Sequence, residues 1–190
     1  MKKILLSAVT AGFLSARFLF GAMYDVDTVH SSVNFNVSHM SVSKVDGNFP
    51  EFSGMVEIDP KSKFLIKLEG EIDISKINTR NEKRDSHLLN TEYFDATNFP
   101  KGTLKTTKIS KDKKGLKVEA DLTLKGITKK VVLTGDLKGP IQNPMTKKET
   151  WGLNLKGTIN RKHFNIAKDT AALTMGEDVN IEISLELHAQ

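Results

Sequence analysis

Apolar and polar positions alternate along most of this chain. Val33, Phe35 and Val37 share one parity, and Asn34, Asn36 and Ser38 the other. Phe64, Ile66, Leu68, Gly70, Ile72 and Ile74 form a second apolar face, with Lys67, Glu69, Glu71 and Asp73 opposite. Leu116 to Leu124 repeats the pattern, and Val131, Leu133 and Leu137 continue it beyond Lys125-Gly126, a two-residue hairpin signal. Trp151, Leu153, Leu155, Gly157 and Ile159 give another face, and Val179, Ile181, Ile183, Leu185 and Leu187 the last. Strands with one apolar and one charged face predict an antiparallel sheet with one side in water. A sandwich satisfies the same pattern. The length of the strands favours closure into a barrel, which removes exposed edges. Such a barrel either holds a small ligand or is filled by its own side chains. Gly47, Gly54, Gly70, Gly135 and Gly157 fall within strand patterns and mark bulges, bends or open space. Residues 139–148 read as a polar loop and residues 162–178 as irregular. Nothing marks a domain boundary or an internal repeat.

The alternation breaks between Asp73 and Pro100. Arg80 to Leu89 contains no Gly, Pro or β-branched residue and predicts a short helix. Thr79 and Glu82 have capping-box spacing, Arg84 and Leu88 stack at i, i+4, and Asn90 offers a left-handed end. Tyr93, Phe94 and Phe99 follow. A polar helix leading into an aromatic loop suits the lid or mouth of a barrel.

The first residues differ in character. Met1-Lys2-Lys3 and the apolar run from Ile4 to Ala16 read as a secretory leader, residues 1–22, too short to span a bilayer. A retained anchor or a cytoplasmic chain is the alternative. Residues 23–190 then form one domain, long enough for a sizeable core. The chain has no Cys, so a lipid anchor on cysteine and disulfides are both excluded. Of 28 basic and 23 acidic residues, three basic ones lie in the leader, which leaves 25 against 23, or +2. The densest basic run, Lys111-Asp-Lys-Lys114, precedes Gly115 and reads as a solvated turn without interleaved aromatics. No nucleic-acid partner is expected.

Candidate chemistry is sparse. His30, His39, His87, His163 and His188 share no metal-ligand spacing, so no metal is expected. His39 keeps inward parity and reads as a hydrogen-bonded residue at a strand end; His188 reads as exposed. Asp85-Ser86-His87 has triad residue types, but neighbours on a helix point about 100° apart and cannot form a relay. Arg161 keeps the inward parity of Ile159 near a strand end, where it would cap the barrel or meet a ligand head group. Arg84 and Asp85 would meet barrel-rim groups or that head group.

Four ordered motifs carry a family resemblance. Asp27-Thr-Val-His30-Ser31 leads into Phe35-Asn-Val37-Ser-His39-Met40; Ser75 to Thr79 precedes Asn81-Glu-Lys-Arg84-Asp85-Ser-His87-Leu88; Leu122-Thr-Leu-Lys-Gly126-Ile-Thr128 forms a hairpin; Ile159-Asn160-Arg161-Lys-His-Phe164 comes near the end. In this order they resemble the YceI family of lipocalin-like bacterial proteins. The glycine usual after the last Phe is Asn165 here. The resemblance implies an all-β, extended eight-stranded antiparallel lipocalin-like barrel binding a polyisoprenoid or similar long-chain lipid in the periplasm. It also implies a homodimer. The expected ligand contacts are Phe35, Val37, His39, Phe49, Phe52, Arg84, Leu88, Phe94, Phe99 and Arg161. A bound isoprenoid or fatty-acyl lipid is the expected ligand, with no cofactor and with transient membrane contact. An enzyme acting on a lipid or quinone-like substrate, and a stress-protection or interaction module with a filled barrel, are the competing readings.

Overall fold

A computed structural model of the chain describes residues 21–190. The expected leader therefore lies almost wholly outside the described residues. Nine strands follow in order: β1 (Ala22–His39), β2 (Ser43–Asn48), β3 (Phe52–Asp59), β4 (Phe64–Asp73), β5 (Lys101–Asp112), β6 (Gly115–Leu124), β7 (Ile127–Gln142), β8 (Glu149–Asn160) and β9 (Met175–Ala189). Among the described residues one α-helix, α1 (Glu82–Leu88), lies between β4 and β5. All pairings are antiparallel, each strand from β3 to β9 bonds to the next, and β9 returns to β1. The long β1 pairs with β2 through its second half and with β3 through its first. Together β2 and β3 fill one place around the wall, so the sheet closes as an eight-stranded barrel. Closure removes the unpaired edges that so many long strands would otherwise expose.

Register breaks decide several faces. Glu57 pairs with Lys67 but Ile58 with Leu65, so Ile66 bulges out of register. Leu65 is therefore fully buried, in place of the expected Phe64 and Ile66, which are half-buried. A second break, between Asp27 and Ser32 against β9, arches the middle of β1 outward and leaves Val29 83% exposed. Strand β7 runs on to Gln142 rather than yielding to a loop at Gly139. Lys125 (φ 50) and Gly126 (φ 72) make the expected tight hairpin; two positive φ values suit the right-handed twist of the flanking strands.

The short helix differs from its sequence reading in detail. Its N-cap is Asn81, whose side chain accepts the Arg84 N–H, and it spans Glu82–Leu88 rather than residues 80–89. Thr79 is not the cap: its N–H and hydroxyl both donate to Asp85 Oδ1, at 2.8 and 2.5 Å. The helix ends at Leu89 in right-handed conformation, and Asn90 is not left-handed. Asn165 does take left-handed φ (55°) after a 3-10 turn, a conformation asparagine tolerates in place of glycine.

The core fills one end of the barrel. Val56, Ile58, Leu65, Val118, Ala120, Leu133, Trp151, Leu153, Leu155 and Leu187 are all essentially inaccessible. Tyr24 and Trp151 meet edge to face at 6.3 Å, and both donate to Glu149 Oε1, at 2.6 and 2.9 Å. This plug closes the end that carries the β5–β6 and β7–β8 turns. Burial, reinforced by the Glu149 carboxylate, pushes the Tyr24 hydroxyl up to about 12.

Candidate functional site: an apolar cavity under the helix

Toward the other end the side chains do not meet. A cavity of about 480 Å³ remains there, within the range of small-molecule pockets. Its walls are inward residues from most of the barrel: Val33, Phe35 and Val37 from β1, Leu68 and Ile72 from β4, Leu104 from β5, Leu122 and Leu124 from β6, and Val179, Ile181, Ile183 and Leu185 from β9. Most are only half-buried because they face space rather than protein. Gly54 and Gly70 sit opposite one another on β3 and β4 and also line the cavity. The missing side chains there are part of the reason for the gap. Gly47 is different: a Cβ would come within 2.3 Å of the Phe35 ring, so its absence lets that ring lie flat on the wall.

Nine of the ten expected contact residues line this cavity: Phe35, Val37, His39, Phe49, Phe52, Arg84, Leu88, Phe94 and Arg161. The tenth, Phe99, does not. Its ring covers Gly126, where a Cβ would approach Cε1 to 2.5 Å. Phe99 thus pins the lid segment to the β6–β7 hairpin from outside. Phe49 meets Phe35 at 5.5 Å and Phe94 edge to face at 6.1 Å, so one aromatic cluster joins the wall, the β2–β3 junction and the segment after α1. His39 is exposed at the rim, and its ring makes no hydrogen bond among the described residues, contrary to its expected tie at a buried strand end.

The two arginines play different parts. Arg161 is 2% exposed and meets no carboxylate among the described residues. Its Nε donates to the Gly176 carbonyl, Nη1 to those of Ile166 and Ala167, and Nη2 to those of Thr170 and Met175. A guanidinium has five N–H groups, and all five are used. Of the two roles expected for Arg161, it fills the capping one and keeps no donor for a head group. It organises the β8–β9 connection, and burial lowers its pKa against the opposing effects of Glu177 and Tyr93. Arg84 donates from Nε to Thr79 Oγ1 and from Nη2 to the Thr79 carbonyl, both at 2.7 Å. Its Nη1 is not engaged among the described residues, and Arg84 lines the cavity.

The segment over the cavity is tied down by groups that alternation does not reveal. Asp85 holds Thr79, which is 2% exposed. Lys125 Nζ donates to the carbonyls of Thr91 and Asn165, at 2.6 and 2.9 Å, and more weakly to Glu92 at 3.3 Å. The Ala167 N–H donates to the Glu92 carbonyl at 2.9 Å. Lid, hairpin and β8–β9 connection are thus one bonded unit. The sequence signal for Lys125 was its place in the hairpin, which gives turn chemistry but no distant partners.

Outward-facing residues of the barrel carry Lys–Glu and Lys–Asp pairs such as Lys101–Glu71 at 2.6 Å and Lys156–Glu182 at 2.9 Å. A barrel spanning a bilayer would show lipid an apolar band instead. A closed, charged-outside barrel with a single-ended apolar cavity beneath a helix defines a lipocalin-like binding fold. The comparisons give the particular family. The YceI-like domain model matches residues 24–187, and the chain belongs to that family. It is 38% identical over 167 residues to a UPF0312 protein of Staphylococcus aureus, covering 86% of this chain and 95% of that one. A YceI protein of Campylobacter jejuni is 33% identical, with TM-score 0.74 over 86% of this chain and 96% of that one. A polyisoprenoid-binding domain from Saccharophagus degradans shares the fold at TM-score 0.61 and 15% identity, over 88% and 98% of the two chains.

Proposed function

We propose that the protein sequesters and carries an isoprenoid or comparable long-chain amphiphile, with the chain in the cavity and the polar head at the mouth beside Arg84. The observation that carries this reading is the half-filled barrel: packed and plugged at one end, and open along apolar walls at the other. A filled-barrel module does not account for that space. An enzyme acting on a lipid is less well supported, because Thr79, Asp85 and Arg161 are spent on holding the lid and the β8–β9 connection, and the His39 ring at the rim has no acid, base or nucleophile hydrogen-bonded to it among the described residues.

Burying chain from water yields about 0.8 kcal/mol per CH₂. Transfer from a bilayer, where the chain is already dry, is nearly balanced, so cavity shape and the mouth set selectivity. The tip of the β1–β2 hairpin is the natural loading face. Val42 is 87% exposed, Met40 48% and Leu173 65%, and the Met40 N–H donates to Thr174 O at 3.1 Å. His39, Ser43, Lys44 and Met175, beside that tip, line the cavity. An apolar tip beside a lysine suits brief contact with an anionic membrane surface. In this reading the protein works in the periplasm after removal of a leader near Ala22. Organic-solvent extraction of protein purified from the native periplasm, followed by mass spectrometry, tests both parts. A stoichiometric long-chain amphiphile and a mature intact mass are expected; a ligand-free extract with a full-length mass refutes the proposal.

A further inference from the structure

The outer wall of the barrel carries a second constellation, remote from the cavity in chemistry and facing the other way. Register places Asp27 of β1 opposite Glu186 of β9, and Thr150 of β8 opposite His188 of β9. Two carboxylates directly opposite on adjacent strands repel one another unless a positive charge lies between them. No Lys or Arg pairs with either among the described residues. Instead His188 Nε2 lies 3.1 Å from Asp27 Oδ2 and 3.3 Å from Glu186 Oε1, while His30 Nδ1 lies 2.9 Å from the same Asp27 oxygen.

We propose that Asp27, Glu186 and His188 bind a divalent first-row transition-metal ion, with the His30 ring closing the coordination. Donor atoms around a tetrahedral ion with bonds of about 2.0–2.1 Å stand roughly 3.3–3.4 Å apart. The Asp27–His188 and His188–Glu186 separations are close to that edge length already, and the donors of the three residues all lie within 4.8 Å of one another. Two of the donors are aimed by groups outside the cluster or by the backbone. Asp27 Oδ1 accepts the backbone N–H groups of Val29 and His30, which turns Oδ2 toward the imidazoles. The Thr150 hydroxyl, on a residue only 5% exposed, meets His188 Nδ1 at 3.1 Å and fixes the ring with Nε2 toward the carboxylates. That is the outer contact a ligating histidine normally has. The His188 and Asp27 side chains are 17% and 21% exposed, whereas His30 is 63% exposed and its ring is able to swing onto an ion. Two carboxylates and two neutral imidazoles balance a 2+ charge. Mixed nitrogen and oxygen donors favour zinc, nickel, cobalt or copper over magnesium or calcium. Sequence spacing concealed the group because its members come from opposite ends of the chain, joined by barrel closure and by the arch at 28–31.

The test is calorimetric titration of chelator-treated, tag-free protein with zinc chloride, with magnesium chloride as the comparison. One equivalent of zinc is expected to bind, with a rise in thermal midpoint, and magnesium is expected to do neither. Glu186→Gln and Asp27→Asn are each expected to weaken zinc binding at least tenfold, and Thr150→Val about tenfold through loss of ring orientation. His30→Ala, at an exposed position, covers the case in which a strand variant fails to fold, and is expected to weaken binding several-fold. Absence of saturable zinc binding, or affinity unchanged in Glu186→Gln and His30→Ala, overturns the proposal.

Discussion

Gly70→Leu separates a true cavity from a packed core by the sign of its effect. Gly70 shares inward parity with Leu68 and Ile72 and lines the cavity. A Cβ built there meets only the Ser53 carbonyl, at an ordinary 3.6 Å, so a larger side chain enters the lumen without displacing wall backbone. In the ligand-free protein the change removes the conformational penalty of a strand glycine, about 0.5–1 kcal/mol, and buries added apolar surface. Stability is therefore expected to rise by roughly 1 kcal/mol or more. The ligand meets the opposite effect. Four carbons of leucine displace about four ligand CH₂ groups, about 3 kcal/mol of transfer energy, or roughly a hundredfold in affinity. The assays are urea midpoints of delipidated wild type and variant, and titration of both with a fluorescent long-chain fatty acid. In a filled core the same change overpacks and destabilises by about 1–3 kcal/mol. That loss, together with unchanged fatty-acid affinity, would refute the reasoning.

Arg161→Met should lower stability by about 3–5 kcal/mol in urea denaturation, because five carbonyls lose their charged donor in a buried site; a loss under about 1 kcal/mol would show that water replaces it freely. Asp85→Ala releases Thr79 and should raise amide exchange across residues 75–100 while β6 stays protected; uniform loss of protection would make the lid part of the core. Ultraviolet titration should show neither Tyr24, raised to about 12, nor Tyr93, raised mainly by burial, ionising at the ordinary value near 10. Since the unfolded chain releases the Tyr24 proton first, stability should fall by about 1.4 kcal/mol per pH unit from about pH 10 toward 12, and Tyr24→Phe should flatten that slope.

The sequence by itself determined the sheet. Alternation depends on a fixed period of two, so Val33 to Val37, Leu116 to Leu124, Trp151 to Ile159 and Val179 to Leu187 could be assigned faces without knowing their neighbours. The Lys125-Gly126 hairpin was legible for the same local reason, and so was the existence of a helix after Thr79. Strand β5 was less visible, since threonines and lysines blur its pattern. The faces of β4 were misjudged at Phe64 and Ile66 because a bulge shifts parity and arises from pairing, not from composition. The helix cap fell to Asn81 because Thr79 was needed by Asp85. That Phe35, Phe49, Phe52 and Phe94 face the cavity was legible from parity and from the break at 73–100; Phe99 does not face it, because the fold of the lid set its direction. Only the tertiary structure decided that half of the barrel is filled and half is not, since packed and cavity-lining leucines look alike in sequence. It alone used up the five donors of Arg161, tied Lys125 to three carbonyls across the lid, and drew His188 in from the surface to Asp27. Local periods are written residue by residue, but volume left unfilled and partners more than a hundred residues apart exist only once the barrel closes.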